Sequence, residues 1–395
     1  MRRSAILLPD PLKPTAHSGL GVAQYYAMHF LAALFPLTAG VMLSGWRAAW
    51  AVAIVLVSAA GAVIVWRRVG TLGHQLRLGH TLWLALLLAL MLPAHLVSVR
   101  PGASGAVGWP LLVVAGVMLV ILLWALGGLG AGRVHPVLVT YLLLSVLFAD
   151  VLAPTCALQR NRVVTGDVLD CAPTHAQAGS GEPWVRRPLV RGYDAVHTPS
   201  VSDRLIAYTR GSERSERGLL RLQGLISERL PPLEDLVVGG QAAPIGTGSA
   251  VAVIVGGLFL LYRGLIDPRV PLLVFACAYA AFLVLPVPAR IAGESAQWSW
   301  LVVREVDVDW ATALTFVHYQ LMASPLLFAA LFIATGPAIR PITRRARVVY
   351  AVLAGLLCAP AQLYISVSSG PYLAVFAASL LTPLLDRWFA PKPLV

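Results

Sequence analysis

The sequence predicts an all-α polytopic membrane protein with ten transmembrane helices, arranged as an inverted repeat of five plus five with a long extracytoplasmic insert between the halves. Three observations predict this class. Of the 395 residues, 58% are hydrophobic and 12% are charged, about half the charge of a typical soluble domain, and the mean hydropathy is +0.77. Ten apolar stretches reach the roughly 20 residues that a membrane span needs. One polar segment separates the first five stretches from the last five.

The chain divides into five parts. Residues 1–24 form a polar cytoplasmic lead, 25–154 the first five-helix half, 155–243 the insert, 244–386 the second five-helix half, and 387–395 a cytoplasmic tail. The first span follows a polar lead and is too long for the apolar core of a cleaved signal peptide, so we expect it to remain. The predicted spans cover residues 25–43, 49–66, 78–99, 107–126, 136–154, 245–265, 270–288, 311–334, 348–367 and 370–386.

The distribution of charge predicts the orientation. The net charge is +12, and with the N-terminus in the cytoplasm the cytoplasmic segments carry 15 basic residues against three acids. The short outer loops carry four of each sign, and the insert carries 11 arginines and 10 acids. A basic excess on one side is typical of cytoplasmic loops, so both termini are predicted to be cytoplasmic. We therefore expect contacts with anionic lipids and none with nucleic acid.

The four cysteines fall into two groups. Cys277 and Cys358 lie inside predicted spans, whereas Cys156 and Cys171 flank a short polar segment of the insert. An extracytoplasmic compartment permits disulfides, so a disulfide between Cys156 and Cys171 is favoured over two unpaired thiols. The spacing of these residues does not match a metal site.

Two spans that correspond in the predicted repeat are interrupted by proline. Span three contains Pro93 and His95, and span eight contains His318 and Pro325. Proline breaks a helix, and paired interruptions near the midplane indicate a site between the repeats. Prolines that are ordinary in membrane helices, with histidines along a polar seam, explain the same pattern equally well.

An ion path is the function that these interruptions would serve. Its candidate residues are His95, His318 and Asp150, the one acid within a predicted span. An ionisable group inside a membrane is a functional candidate by default. Asp150 lies close to the outer end of its span, however, and contact of its side chain with water is an equally good explanation.

Two glycine-rich segments lead into spans and are the candidate cofactor sites. "GGLGAGRVHP" (127–136) precedes span five, and "VGGQAAPIGTGS" (238–249) precedes span six. A P-loop is excluded for the first segment, since no strand precedes it and no Lys-Ser/Thr pair follows. Backbone amides at a helix N-terminus nevertheless suit an anion or a phosphate. The candidate residues are Gly128, Gly130, Arg133 and His135 in the first segment, and Gly246, Thr247, Gly248 and Ser249 in the second.

Hydrolytic and metal-dependent chemistry finds no support in the sequence. It contains no carboxylate pair, no nucleophile–histidine–acid set and no metal-ligand spacing. No catalytic residue and no metal ligand is therefore predicted.

Four stretches resemble the RnfD/NqrB family, whose members are integral subunits of Rnf complexes and of Na⁺-pumping NADH:quinone oxidoreductases. The most distinctive is "DLVVGGQAAPIGTGSAVAVIVGGLFLLYRGLIDPRVP", which resembles the family's glycine-rich approach to span six and the basic exit from that span. The others are "GGLGAGRVHPVLVTYLLL", "LFIATGPAIRPITRRARVVYAVLAGLL" and "GPYLAVFAASLLTPLLDRW". The matches run in order over nearly the whole chain except residues 155–230, and the family also has ten spans.

The resemblance implies a subunit of a redox complex in the bacterial inner membrane. It implies electron transfer through a flavin, linked to Na⁺ or H⁺ movement, with other membrane, flavoprotein and iron–sulfur subunits as partners. Such a chain is an enzyme as part of an oxidoreductase and not alone. Family members attach FMN to a threonine of an S/T-G-A-T motif in the insert; that motif is absent here, and Thr198 is its nearest counterpart. We therefore expect a flavin, FMN or riboflavin, that is held without a covalent bond.

This chain departs from the family at polar positions. Thr247, Gly336 and Ser369 stand where the family has acids, and Ser379 and His135 stand where it has asparagines. Carboxylates are the groups that a cation path or a proton relay uses, so the family fold is expected to transfer better than the coupling chemistry. Two other functions fit the same features: an inverted-repeat transporter or channel, and a cofactor-free scaffold subunit of a membrane complex.

Overall fold

The computed structural model describes most of the membrane region and small parts of the insert. The described residues are 21–69, 76–97, 108–127, 134–152, 156–159, 195–198, 201–202, 204–205, 222, 225–226, 230–239, 243–289, 297–299, 310–337 and 339–390. The predicted cytoplasmic lead and most of residues 155–243 lie outside this set.

Helices dominate the described residues. In chain order they are α1 (Val22–Ser44), α2 (Trp46–Val69), α3 (Leu78–Met91), a 3₁₀ turn (Ala94–Val97), α4 (Gly108–Ala125), α5 (Pro136–Leu147), α6 (Ala149–Leu152), α7 (Leu233–Val238), α8 (Ala250–Tyr262), α9 (Arg269–Val284), α10 (Trp310–Ala323), α11 (Leu326–Phe328), a π-helical turn (Ala329–Ile333), α12 (Arg344–Tyr364), α13 (Gly370–Leu380) and α14 (Thr382–Trp388).

The helices fit a membrane protein. Four of them, α1, α2, α4 and α12, are long and apolar enough to cross a membrane, and the pair Trp310–Ala323 and Leu326–Ile333 would make a fifth span with a bend of 58°. Shorter apolar helices of 10–17 residues, α3, α5, α8, α9 and α13, lie at the other five predicted spans. The helical membrane fold is thus confirmed. The count of ten spans stays a prediction, because these five helices are shorter than the roughly 20 residues of a full crossing.

The described residues also contain two short pairs of β-strands, which the all-α prediction did not include. Strand β1 (Cys156–Gln159) pairs antiparallel with β2 (Ala195–Thr198), and β3 (Val287–Ala289) pairs with β4 (Gln297–Ser299). Predicted span seven therefore ends early: its helix stops at Val284, before prolines 286 and 288, and the chain continues as an extended strand. Proline cannot continue a helix because it lacks a backbone N–H.

One end of the bundle carries the approach to α8. The C-terminal part of α1 packs on this approach, since a side chain at Gly40 would collide with the carbonyl of Ile245 and one at Gly239 would collide with Leu43. Strand β1 contacts α1 and also the 3₁₀ turn that follows α3. We call this the insert end, and the other, where α1 begins and α2 finishes, the opposite end.

Several helix pairs pack at backbone distance through a glycine, and two of these contacts join corresponding predicted spans. On α4, a Cβ at Gly116 would lie 2.8 Å from the carbonyl oxygen of Val55 on α2. On α12, a Cβ at Gly355 would lie 2.5 Å from the carbonyl oxygen of Val274 on α9. Small residues let membrane helices approach this closely. The two contacts join predicted spans two and four, and spans seven and nine.

Serine hydroxyls satisfy carbonyls at the second broken helix. Pro325 follows α10 and has no N–H, so the carbonyl of Leu321 loses its helical donor. The hydroxyl of Ser324 donates to that carbonyl at 3.2 Å, and the hydroxyl of Ser202, from the insert, donates to the carbonyl of Ala323 at 3.4 Å. A broken helix is tolerated at membrane depth when such groups supply the missing bonds.

Candidate functional site

The approach to α8 closes the break at the end of α3. Ile245 donates its amide to the carbonyl of Leu92 at 3.1 Å, and Gly246 donates its amide to the carbonyl of Leu90 at 2.7 Å. Pro93 cannot supply a donor at this break. A Cβ at residue 246 would lie 2.6 Å from the Cβ of Leu90, so only glycine permits this approach.

These bonds limit what residues 246–249 can offer an anion. The amide of Gly246 is occupied by Leu90, and the amide of Thr247 donates to the carbonyl of Pro244 at 3.0 Å. Ser249 caps α8 by accepting from the amide of Ala252 at 3.4 Å. The predicted cofactor role of this segment stays a prediction. Because the amides of Gly246 and Thr247 are already bonded, these residues would line a cofactor site without donating amide hydrogen bonds to the cofactor.

A cluster of rings lies near the opposite end of the bundle. It consists of Tyr25, Tyr26 and His29 on α1, His80 and Trp83 on α3, and His135, which precedes α5. We call these six residues the ring cluster. Trp83 is central: its ring centroid lies 5.4 Å from Tyr26, 5.5 Å from His29 and 6.3 Å from His135. Tyr26 also contacts His80 at 4.7 Å, and Tyr25 contacts His29 at 4.2 Å.

The ring cluster contains many buried polar atoms without a partner. Within the described part of the chain, no hydrogen bond reaches Tyr25 Oη, His29 Nε2, His80 Nδ1, Trp83 Nε1 or either ring nitrogen of His135. An unsatisfied buried polar group costs about 1–3 kcal/mol. Buried polar atoms without partners are rare, so six of them in one place make the ring cluster the candidate functional site.

Gly336 lies against the ring cluster from the second half of the chain. A Cβ at this position would lie 3.5 Å from Cδ2 and 3.6 Å from Nε2 of His135. The cluster is thus bordered by both halves. It also combines two of the departures from the family pattern, His135 and Gly336, in one contact.

The other predicted site residues do not join the ring cluster. Gly128, Gly130 and Arg133 lie outside the described residues. Thr198 belongs to β2, where it pairs with Cys156, and its side chain is outside the described set. Cys171 is likewise outside it, so the predicted disulfide stays a prediction.

The candidate ion-path residues have separate surroundings. His95 Nε2 lies 3.0 Å from the carbonyl oxygen of Val151. The ring of His318 stacks on Tyr279 with centroids 6.0 Å apart. Asp150 lies in α6, and its side chain is outside the described set. Within the described residues no group of three or more histidines, cysteines or acids could hold a metal ion.

A buried glutamine pair was not anticipated from the sequence. Gln362 on α12 donates its Nε2 to both the carbonyl and the Oε1 of Gln320 on α10, at 2.5 and 3.0 Å. Gln320 Nε2 and Gln362 Oε1 are left without a partner in the described residues. This pair ties α12 to the broken helix just before its bend.

Sequence reasoning found His135 but missed the other members of the ring cluster. The sequence held one indication of the cluster, which is the position of the histidines along their spans. His29, His80 and His135 lie near the N-terminal ends of predicted spans one, three and five, and these three spans all start on the same side of the membrane. Their convergence depends on how these three spans pack together, which the sequence pattern does not give.

Comparison with known proteins agrees with the resemblance. Residues 11–394 match the family described as NQR2, RnfD, RnfE. The chain is 26% identical to a subunit of the Na(+)-translocating ferredoxin:NAD(+) oxidoreductase complex of Acetobacterium woodii over 161 residues, 40% of this chain and 42% of that protein.

Two further relatives are named as subunits of ion-translocating oxidoreductase complexes. That of Mannheimia succiniciproducens is 24% identical over 271 residues, 67% of this chain and 66% of its own length. That of Pectobacterium carotovorum subsp. carotovorum is 26% identical over 313 residues, 78% of this chain and 76% of its own length. The alignments thus span from under half to about three quarters of these relatives. Since the family match covers nearly the whole sequence, the chain belongs to the NQR2, RnfD, RnfE family.

Proposed function

We propose that this chain is a membrane subunit of an ion-translocating redox complex and that it holds a flavin, without a covalent bond, in the ring cluster. The observation that carries the proposal is the set of six buried, unpartnered polar atoms on Tyr25, His29, His80, Trp83 and His135. Family membership supplies the redox setting, and the names of the relatives support a multi-subunit oxidoreductase.

The residues present fit a flavin ring. A flavin has a flat aromatic body with hydrogen-bond donors and acceptors along one edge, and it supplies one-electron and two-electron chemistry when bound. Tyr26 and Trp83 offer aromatic faces, and the unpartnered nitrogens of His29, His80 and His135 offer both donors and acceptors according to their tautomers. Burial of these groups excludes water from the ring.

The place of the ring cluster argues against covalent attachment there. Thr198, the nearest counterpart of the family's attachment residue, belongs to the insert, whereas the ring cluster lies near the opposite end of the bundle. A flavin in the cluster would be held by ring contacts and hydrogen bonds alone.

We also propose the inverted five-plus-five repeat, with both termini in the cytoplasm of a bacterium and the insert outside. Corresponding features support it. The glycine contacts at Gly116 and Gly355 join equivalent span pairs, and α5 and α13 both begin with a proline in their first turn. The breaks at Pro93 and Pro325 also correspond. In this topology the ring cluster lies on the cytoplasmic side and could receive electrons from soluble or peripheral subunits.

In the complete complex, electron transfer through this subunit would be coupled to ion movement. His95, His318 and Asp150 remain its candidate residues, and the movement of Na⁺ or H⁺ would depend on partner subunits. Reconstitution of the complete complex, with ion uptake measured during electron transfer, tests this part separately from flavin binding.

Flavin content tests the main proposal. The chain is purified with its co-purifying subunits and extracted with acid, and flavin is measured by absorbance and chromatography. We expect flavin in the extract and no fluorescent band in a denaturing gel. Trp83→Phe, which keeps the ring and removes the N–H, and His80→Phe should each lower the flavin content. His318→Phe is the matched control, because it keeps an aromatic ring stacked on Tyr279, away from the ring cluster. This variant should leave the flavin content unchanged.

Two outcomes would contradict this function. A wild-type extract without flavin would remove the cofactor, and substrate uptake into liposomes by the chain alone would then favour the transporter. A fluorescent gel band that disappears in Thr198→Ala would place a covalent flavin in the insert.

A further inference from the structure

Arg47 is a buried cation without a described counter-ion. It is the second residue of α2, at the insert end, and 8% of its surface is exposed. Its Nε and Nη1 atoms are buried and have no hydrogen-bond partner among the described residues. Its guanidinium lies 5.9 Å from the ring centroid of Trp46. A ring face offsets only part of the desolvation of a charge, since a cation–π contact contributes about 0.5–2 kcal/mol.

The backbone around Arg47 is also suited to an anion. The chain turns at Gly45, which has φ of 66°, and α2 begins directly after it. The amide of Ala48 donates to the carbonyl of Gly45 at 3.2 Å. The amides of Trp46 and Arg47 have no helical acceptor, and the helix dipole adds a partial positive charge at this end. A guanidinium and helix amides that share one first turn form a site for a tetrahedral anion such as a phosphate.

Exposed tryptophans show which environment surrounds this turn. Trp46 and Trp50 on α2, Trp109 at the start of α4 and Trp310 at the start of α10 are all exposed large side chains. Helices α2 and α4 run in the same direction, because Trp66 contacts Trp124 near their ends while Gly116 contacts Val55 near their middles. Trp46, Trp50 and Trp109 therefore lie at the insert end. Tryptophan is enriched where the bilayer meets water, at the depth of the lipid headgroups.

We propose that Arg47 and the first turn of α2 bind the phosphate of a phospholipid headgroup at the insert end of the bundle. The guanidinium supplies two parallel donors to phosphate oxygens, and Trp46 and Trp50 flank the acyl chains below the headgroup. This site is separate from the ring cluster and does not rest on the flavin. It also differs from the lipid contacts expected from the basic cytoplasmic loops, which lie at the other end.

The test uses the purified full chain in a detergent without phosphate. Three probes are added separately: dioleoylphosphatidylglycerol, dioleoylglycerol, which has the same acyl chains but no phosphate, and inorganic phosphate. Two quantities are measured: the rate at which phenylglyoxal modifies Arg47, followed by peptide mass spectrometry, and the Tm. We expect the phospholipid to slow the modification several-fold and raise the Tm, and the other two probes to do neither.

Variants locate the site. Arg47→Gln should weaken the apparent affinity for the phospholipid by about tenfold or more, as expected for loss of a charged hydrogen-bond pair. Arg68→Gln, an exposed arginine at the other end of the same helix, should leave the affinity unchanged. If Arg47→Gln does not fold, the labelling of the wild-type chain still decides the question.

Three results would overturn the proposal. Equal protection by inorganic phosphate would identify a free anion as the ligand. An unchanged phospholipid effect in Arg47→Gln would place the lipid elsewhere. Protection that needs a partner subunit and no lipid would identify a protein carboxylate as the counter-ion of Arg47.

Discussion

Gly246 donates its backbone amide to the carbonyl oxygen of Leu90 at 2.7 Å, so the entrance to the second half of the chain completes a helix of the first half. Ile245 repeats this relationship with Leu92 at 3.1 Å. The break in α3 and the glycine-rich approach to α8 are therefore one structural feature.

Replacement of Gly246 by alanine should weaken this junction. Its Cβ would lie 2.6 Å from the Cβ of Leu90, which forces the two backbones apart and lengthens the amide bond. We expect a loss of about 1–3 kcal/mol in stability and a lower Tm. Gly61→Ala is the control, because nothing lies within 4 Å of its Cβ. If Gly246→Ala has the same Tm as Gly61→Ala, the backbones of residues 246 and 90 can move apart without loss of stability.

The glutamine pair should show strong coupling. Gln362→Leu removes both hydrogen bonds that Gln362 donates to Gln320. The polar atoms of Gln320 would stay buried without these bonds, so we expect a loss of about 1–3 kcal/mol in stability. The double replacement Gln320→Leu with Gln362→Leu should be less destabilising than the sum of the singles. Unfolding can be followed through labelling of Cys358, a buried thiol. Simple additivity would show that the two side chains act independently.

His135 should illustrate a conflict between stability and ligand binding. His135→Leu removes two buried, unpartnered nitrogens. We expect the flavin-free chain to gain about 1 kcal/mol or more in stability, measured as a higher Tm. We also expect the flavin content to fall. His135→Asn, the residue of the family pattern, retains a donor and an acceptor and should keep more flavin. If the Tm falls in His135→Leu, packing and not a ligand explains the buried histidine.

The ion pair at the opposite end should contribute little. Arg347 Nη1 lies 3.2 Å from Asp267 Oδ2, and both side chains are partly exposed. Arg347 also donates to the carbonyls of Pro341 and Ile342. Asp267→Asn should therefore lower stability by less than about 1 kcal/mol, and the difference should shrink further at high salt. A large, salt-independent loss would point to a structural role of Asp267 at the start of α9, where it accepts from the amide of Arg269.

The predicted disulfide can be tested in intact cells. Cys156 and Cys171 should resist a membrane-impermeant thiol reagent before reduction and react with it afterwards. The single variants Cys156→Ser and Cys171→Ser should each expose one reactive thiol without reduction. Labelling of both cysteines in unreduced wild-type cells would exclude the bond.

Periodicity and length predicted the helices well, but local sequence did not predict how they are interrupted. Pro93 marked the break in span three, yet the predicted span ran to residue 99 while α3 ends at Met91. The acceptors freed there are satisfied by Ile245 and Gly246, about 150 residues later in the chain. A hydrogen bond between such distant segments leaves no local pattern.

The candidate site was predicted only where a motif marked it. His135 belongs to a glycine-rich segment and was found, whereas His29, His80 and Trp83 have ordinary apolar neighbours in their spans. Their significance appears only when three non-adjacent helices bring their rings together and leave the polar atoms without partners. The departure at Gly336 was visible in the sequence, but its contact with His135 was not.

The glycine contacts at Gly116 and Gly355 have a mechanical consequence. Where two helix backbones touch, sliding of one past the other would drive carbonyls into each other, so α2 with α4 and α9 with α12 should each move as a single rigid body. Gly256 joins α8 to α1 in the same way, since its Cβ would lie 2.7 Å from the carbonyl oxygen of Ala32. Any conformational cycle would then pivot between these three pairs. Spin labels on the exposed Val57 and Val114, one on each helix of the first pair, should keep a constant separation during turnover. Labels on Val57 and the exposed Val251 of α8 should report the movement.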